Sequence, residues 1–493
     1  MALEIADVAV IGGGPAGAAA SHLLASWGRR VILINRSTTP RPLGESIPPS
    51  CIKLFDQIGI RQRVDDAGFI RATGNTVQWG GKERSVESFD FGQLGYQVAR
   101  DSFDDVLLAA SESVGTIVRR DSMVVDVVRE PAGGWRVHLS EPAGSATINA
   151  RWVLDCSGRA GVVARRDLRR PMRAARTIAV VGVWERGDGW PGVEPTHTLV
   201  ESYDEGWAWS VPVSPTRRYV TVMLDPSITS LATRTNLVDT YLAELRRTTM
   251  LSELIEGATL TEAPWGCDAS PYSAVRVDDE QLLLVGDAGS FVDPLSSFGI
   301  KKALASAWMA AVVVHTAVGD ATLASPAIDL FARREHAMYE HLQRQSALLS
   351  REAAGAHASS YWSNRGDLDE APIEGELDAT RLREDTRVLS AFEELRQRPS
   401  IHLRAAESLE FVDRPMVRGN RVVLERHLSD PAFKAPVRFC RGIDLVLMTD
   451  LSARHNQVPD LFDAYNRVAP PAPLPDFLGA LSTLIGFGVL SFA

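Results

Sequence analysis

Three features of the 493-residue sequence predict its fold class. An apolar run at 8–11 breaks into glycines and resumes as an Ala-rich segment. A second run, Val31-Ile32-Leu33-Ile34, has almost no polar alternation, and a third, Leu282-Leu283-Leu284-Val285, stops at Gly286-Asp287-Ala288. Strands covered on both faces by crossover helices read this way, so we expect α/β: a Rossmann-like domain on a mostly parallel sheet.

The first break is a dinucleotide-binding fingerprint, with Gly12, Gly14 and Gly17 spaced as G-x-G-x-x-G between a strand and a helix. Gly12 serves the tight turn, Gly14 lets backbone N–H groups approach a pyrophosphate, and Gly17 lets the helix pack on the strand. Ala16 lies in the same turn, and the N-terminus of the helix predicted over 15–27 would hold the phosphates. The second strand spans 29–36. An acidic residue normally ends it and binds ribose; here Asn35 stands there, still able to accept a hydroxyl bond, with Arg36 next to it.

Composition narrows the function classes. A formal charge of -10 argues against nucleic-acid or anionic-membrane partners, which demand a basic surface. Four cysteines without CxxC spacing and ten histidines without an HExxH pattern suggest reduced thiols and no metal site. Glu4 and Asp7 before the first apolar run are unlike a secretory signal, so a cytoplasmic protein is expected. The apolar tail at 478–493 is short of the roughly 20 residues of a spanning helix and is expected to be a buried helix or strand.

Along the chain, a Pro-rich loop at 41–49 contains Gly44-Glu45-Ser46 and leads into an amphipathic helix at 50–58. GES followed by prolines, after such an N-terminus, resembles the flavin-dependent halogenases and their monooxygenase relatives. The resemblance implies FAD as cofactor, with Glu45 and Ser46 near it. Short strands are expected at 76–80 and 87–91. Arg100 opens a helix that Asp101 is placed to cap, and the matching family arginine contacts FAD. Asp155-Cys156-Ser157-Gly158 is similar to the family's D-x-S-G segment closing round the cofactor. In Gly286-Asp287, the aspartate of the resembling flavoproteins binds the ribityl chain.

Alternating β-branched and aromatic residues from 178 to 224 predict a mixed sheet, covered by a helix at 236–247. Within it, Gly206-Trp207-Ala208-Trp209-Ser210-Val211-Pro212 fits the halogenase W-x-W-x-I/V-P signature. Phe291, Pro294, Ser297 and Gly299 fit the family's F-x-x-P-x-x-S-x-G pattern, with Phe298 before the glycine and Ile300 after it, opening a buried helix to 318. Another long helix is expected over 331–351. The implied organisation is a FAD-binding domain over 1–175 and 276–352, with an inserted substrate-binding mixed β-sheet domain at 176–275 to which 70–95 contributes strands. It is p-hydroxybenzoate hydroxylase-like, with a small α-rich accessory domain at 376–493.

In this resemblance reduced FAD reacts with oxygen to give a flavin hydroperoxide, and halogenases pass the oxidising equivalent through halide to a lysine. That lysine's place falls on Ala72 or Thr73. The nearest alternative, Lys82, lies in a turn at 80–83 where a solvated lysine is expected. Ser296 stands where tryptophan halogenases carry a glutamate, and the Phe298 ring stands where a small residue leaves amides open to halide. The reading is therefore an FAD-dependent monooxygenase hydroxylating an indole, tryptophan or phenol, free or borne on a peptide or protein, as do the flavoproteins that mature tryptophylquinone cofactors. Halogenation is the alternative; a flavin-bearing reductase or assembly factor is a further one. Trp207, Trp209 and Phe298, with Pro294, Ser297 and Gly299, would shape an aromatic pocket, while Lys301 and Lys302 are expected at the surface. With no second G-x-G-x-x-G, a separate flavin reductase is the expected electron source.

Overall fold

The computed structural model describes residues 4–36, 41, 43–90, 92–164, 168–171, 176–190, 194–228, 236–296, 298–366, 382 and 384–493. Ser297 lies outside the described residues. The chain divides into two compact units, Met1–Glu370 and Ala371–Ala493.

In the first unit, the strand Glu4–Ile11 lies between Val31–Ile34 and Gly144–Asp155, parallel to both. Ile117–Arg119 extends the sheet beyond the second strand and Leu282–Leu284 beyond the third, again in parallel. Register places Ile11 opposite both Ile34 and Asp155, and Asp155 opposite Leu284. The carboxyl ends therefore align, and the turns that follow gather at one edge, where open α/β sheets bind ligands. The strands lack alternation because Val8, Ala9, Val10, Ile32 and Leu33 are all buried.

The helices Pro15–Ser26, Arg100–Ser113 and Gly299–Gly319 accompany this sheet. Pro15 to Ala20 in the first helix are small and buried, which permits close packing on the sheet. Arg100–Ser113 begins two residues earlier than Asp101 would set it: Ala99 is the N-cap and Asp101 lies in the first turn, so Asp101 does not cap. Gly299–Gly319 is long and apolar enough to cross a membrane, but most of it is buried inside the protein.

A second sheet runs in the order Thr259–Leu260, Ile178–Glu185, Arg217–Leu224, Gly206–Pro212, Thr198–Tyr203, Gly74–Gln78, Ser85–Ser88. The last two strands come from the segment expected to contribute, and Gly74–Gln78 joins in parallel to Thr198–Tyr203. One face packs on Leu237–Leu245 and Met250–Ile255 through Trp184, Leu199, Val222, Tyr241, Leu245 and Leu251. The other carries an aromatic cluster closed by the helices Ala324–Ala354 and Ser360–Gly366.

The second unit has its own core, built from Leu445, Met448, Leu461, Tyr465, Phe477, Leu481 and Leu484. Its C-terminal tail forms both a helix, Leu474–Gly486, and a strand, Leu490–Phe492, paired with Leu403–Ala405. A hairpin joins Glu410–Arg418 to Arg421–Ser429.

Candidate active site

The glycine turn is shaped by contacts that admit no side chain. Gly12 has φ +103, and a Cβ there would stand 2.6 Å from the Cys156 carbonyl oxygen. A Cβ on Gly17 would stand 1.9 Å from the carbonyl oxygen of Gly12. Gly14 differs: its φ of -72 and ψ of -172 suit any residue, and the nearest protein atoms to an added Cβ are Arg100 Nη2 and Asp104 Oδ2 at 3.8 Å. The chain does not use the space beside Gly14. Gly14 caps the helix without a side-chain bond, so its first N–H groups remain available to an anion.

Asn35 supports this turn from the next strand, its Oδ1 accepting from the Gly13 N–H at 3.2 Å. Arg36 is exposed beyond the strand end. Arg100 reaches the same place from the helix it opens, donating to Glu45 Oε1 at 3.2 Å and to Asp104 at 3.1 Å. Burial works against the Arg100 charge, but the two carboxylates more than offset it and raise its pKa. Enclosure pushes the Glu45 carboxyl upward; Arg100 opposes the rise and Asp287 adds to it. Ser46 accepts from Thr198 Oγ1 at 2.8 Å.

Asp155 plays a different part from the expected cofactor contact. Its Oδ1 accepts from the Ser157 N–H at 3.0 Å, its Oδ2 from the Val163 N–H at 2.9 Å, so the carboxylate is spent on closing its own loop. Asp287 is more open, 28% exposed, with Oδ1 3.0 Å from Lys302 Nζ. Lys302 is only 3% exposed, correcting the expectation that it lies at the surface. Lys301, the next residue on a helix and so turned about 100° away, places its Nζ 4.7 Å from the Phe298 ring centroid.

Trp207 and Trp209 share one face of Gly206–Pro212, as a period of two requires, with ring centroids 6.1 Å apart. Their neighbours were not evident from sequence. Trp79 stands 6.4 Å from Trp207 and 5.3 Å from Trp362, and Trp362 is 4.9 Å from Tyr361. Hydrogen bonds fix two of these rings: Trp79 Nε1 donates to the Leu349 carbonyl at 3.0 Å and Trp362 Nε1 to the Tyr203 carbonyl at 2.9 Å. The enclosed Trp209 Nε1–H has no acceptor among the described residues.

Phe291 and Leu295, on either side of Pro294, pack against this cluster. Phe298 is not among its members; it is the N-cap of Gly299–Gly319, and Ile300 is buried behind it. Beneath the wall, Arg365 donates to the Arg176 carbonyl at 2.7 Å and to Thr177 Oγ1 at 2.9 Å. It also lies 3.6 Å from Asp225 and stacks on Tyr361 at 3.7 Å. Burial raises the Asp293 pKa, against the pull of Arg365.

Ala72 is fully buried on the strand Ile70–Ala72, opposite Gly95. Thr73 pairs with the Thr196 hydroxyl. Lys82 is 71% exposed and bound to Glu352 at 2.6 Å, as a turn lysine should be. No cluster of His, Cys, Asp and Glu suited to a metal occurs among the described residues.

The parallel sheet, the glycine turn and the Asp287 turn together define a flavoprotein nucleotide site. The chain belongs to the FAD binding domain family, whose profile matches residues 5–322. It is 32% identical over 338 residues to a tryptophan 2-halogenase of Chondromyces crocatus. That match covers 64% of this chain and 63% of the halogenase, so the chain spans under two thirds of that relative's length. Its fold is similar to that of the flavin-dependent halogenase CmlS, with a TM-score of 0.77 at 20% identity over 99% of this chain and 96% of the other. It is also similar to the peptidyl tryptophan dihydroxylase QhpG, with a TM-score of 0.70 at 21% identity over 98% and 99%.

The residues fit FAD, the cofactor of this family. A Cβ at Gly14 would come no closer than 3.8 Å to Arg100 and Asp104, so no side chain crowds the turn where the Arg100 charge could meet a phosphate, and the exposed side of Asp287 can accept from sugar hydroxyls.

Proposed function

We propose that the protein is an FAD-dependent oxidoreductase that hydroxylates an electron-rich aromatic ring, an indole or a phenol. Bound FAD supplies oxygen activation. The chain's own residues do the rest. The turn at Gly12–Gly17 and Arg100 hold the pyrophosphate, Asn35 supports the turn beside the ribose, and Asp287 holds the ribityl chain. Phe298 and Gly299, leading to Ile300 after the turn at Pro294, present a helix N-terminus whose first N–H groups favour negative charge nearby. Trp209, half-buried and backed by the buried Trp207, Trp79 and Trp362, offers the ring of this cluster that a flat substrate would pack against edge to face.

The observation that carries hydroxylation over halogenation is that neither Ala72, fully buried, nor Thr73, paired with the Thr196 hydroxyl, offers an amine where the resembling halogenases hold their lysine. Lys82 is held outside by Glu352. The relatives, weighed alone, favour a second reading, halogenation, since both the tryptophan 2-halogenase and CmlS are halogenases. The reducing equivalents come from a separate flavin reductase, because no further dinucleotide fingerprint is present.

One experiment separates the readings. The protein is incubated with a flavin reductase, NADH, oxygen and a panel of indoles, phenols and tryptophan-containing peptides, with and without chloride and bromide. Products heavier by one oxygen atom and independent of halide support hydroxylation. A halide-dependent chlorinated or brominated product overturns it, and loss of that product in Lys82→Ala assigns the lysine.

A further inference from the structure

A lysine buried against the carboxylate assigned to the cofactor is unusual enough to need a reason. Enclosing an ammonium costs several kcal/mol unless it is well paired, and Lys302 is 3% exposed. Its partners are few and specific. Nζ lies 3.0 Å from Asp287 Oδ1 and donates to the Ser290 carbonyl.

Other bonds hold the remainder of the same turn. Tyr272 Oη donates to the Asp287 carbonyl at 2.6 Å, and Arg169 Nη2 donates to it at 3.3 Å. Ser306, four residues beyond Lys302 and so on the same helical face, accepts from the Gly286 N–H at 2.9 Å. The helix Gly299–Gly319 therefore grips the Gly286-Asp287 turn twice, once at the backbone and once at the carboxylate. Glu335, on the helix Ala324–Ala354, faces Lys302 from the other side, its carboxyl raised by burial to about 7 and held down in part by Lys302 and Ser306.

We propose that Lys302 is a positioning residue for FAD: it holds the Asp287 carboxylate turned by one oxygen, leaving the other oxygen to accept from the cofactor's ribityl hydroxyls. The idea rests on the ribityl role given to Asp287 above. A carboxylate fixed before binding loses less freedom when the cofactor arrives, and its ammonium partner compensates the negative charge as the flavin shuts out water. Arg100, paired with Glu45 and Asp104, does the corresponding work at the pyrophosphate end.

The test is a double-mutant cycle on the full chain, with FAD affinity read by flavin fluorescence titration and apoprotein melting read in parallel. Lys302→Met and Asp287→Asn are each expected to weaken FAD at least tenfold, and the double variant to bind about as well as Asp287→Asn alone, because the lysine acts through the carboxylate. Apoprotein melting of Lys302→Met should stay near the parent value, because Asp287 is 28% exposed and water can take over its charge, unlike the enclosed partner of Arg365. A purely structural lysine would instead lower melting and add its effect to that of Asp287→Asn, which overturns the proposal. Unchanged FAD affinity in Lys302→Met with a weakened Asp287→Asn also overturns it, leaving the role of Asp287 intact. Unchanged affinity in Asp287→Asn overturns the ribityl role itself. If Lys302→Met fails to fold, Lys302→Gln carries the same cycle with a smaller polar change.

Discussion

Gly14→Ala separates cofactor binding from folding at the glycine turn. In the apoprotein the new methyl meets nothing closer than 3.8 Å, and the backbone angles suit alanine. Restricting the unfolded chain stabilises by about 0.4–1 kcal/mol, while alanine is a poorer N-cap than glycine by a similar few tenths to about 1 kcal/mol. The two effects oppose, so apoprotein stability should change by less than about 1 kcal/mol. The methyl, however, occupies the space left for phosphate. Overpacking of that kind costs about 1–3 kcal/mol, which is about 5- to 150-fold in FAD dissociation constant. Thermal melting of apoprotein and fluorescence titration with FAD measure the two quantities separately. Gly17→Ala is the control, because its Cβ would stand 1.9 Å from the Gly12 carbonyl oxygen and must open the turn itself. Wild-type FAD affinity in Gly14→Ala would refute the placement of phosphate against this residue. A fall in its apoprotein melting as large as in Gly17→Ala would refute the claim that the space is free.

Three further outcomes are expected. Arg365→Met leaves Asp225 and Asp293 buried without their cation, and should lower stability in urea by about 3–5 kcal/mol, the usual result of removing one partner of a buried pair. Burial lifts Glu335 from 4.5 to about 7, Lys302 and Ser306 opposing; the stability linked to its proton is therefore complete below pH 4.5 and is lost as pH rises to about 7. Glu335→Gln should accordingly gain on the order of 3 kcal/mol at pH 8 and nothing at pH 4, read from melting across that range. Trp209→Phe keeps an aromatic ring there and removes the enclosed N–H, whose missing acceptor costs about 1–3 kcal/mol; its melting should therefore fall by clearly less than that of Trp209→Ala, for which about 3–5 kcal/mol is lost.

What the sequence disclosed and what it concealed follow one physical division. The parallel strands and the glycine turn obey local constraints, two-faced burial in one case and a backbone approach within 3 Å in the other, and both leave their mark on consecutive residues. The fold class and the FAD cofactor are legible for that reason, as is Lys82 in its solvated turn. Partnerships between distant segments leave no such mark. Trp79, Tyr361 and Trp362 meet Trp207 from different parts of the chain, and nothing near residue 360 announces it. Asp155 fits a cofactor pattern, yet loop N–H groups from 157 and 163 claim its oxygens. Phe298 was placed with the tryptophans by a pocket argument, whereas the start of a helix sets its position and Lys301 covers its ring.

Lys301 and Lys302 show the same division within two residues. Adjacent positions on a helix diverge by about 100°, so of two lysines expected outside, one had to turn toward the sheet. A lone buried ammonium would destabilise the fold by several kcal/mol. What allows Lys302 to remain is Asp287, fifteen positions earlier and at the end of a different element. Asp287, placed at the cofactor edge by the strand before it, would bring its own uncompensated charge under a flavin without that lysine. The buried ammonium is therefore tolerated because a half-exposed carboxylate pairs with it. The same reasoning explains Arg100, paired with Glu45 from a distant segment and with Asp104 one turn along its own helix: there too the ion pair is assembled by the protein alone. Cofactor binding then need not desolvate a bare charge.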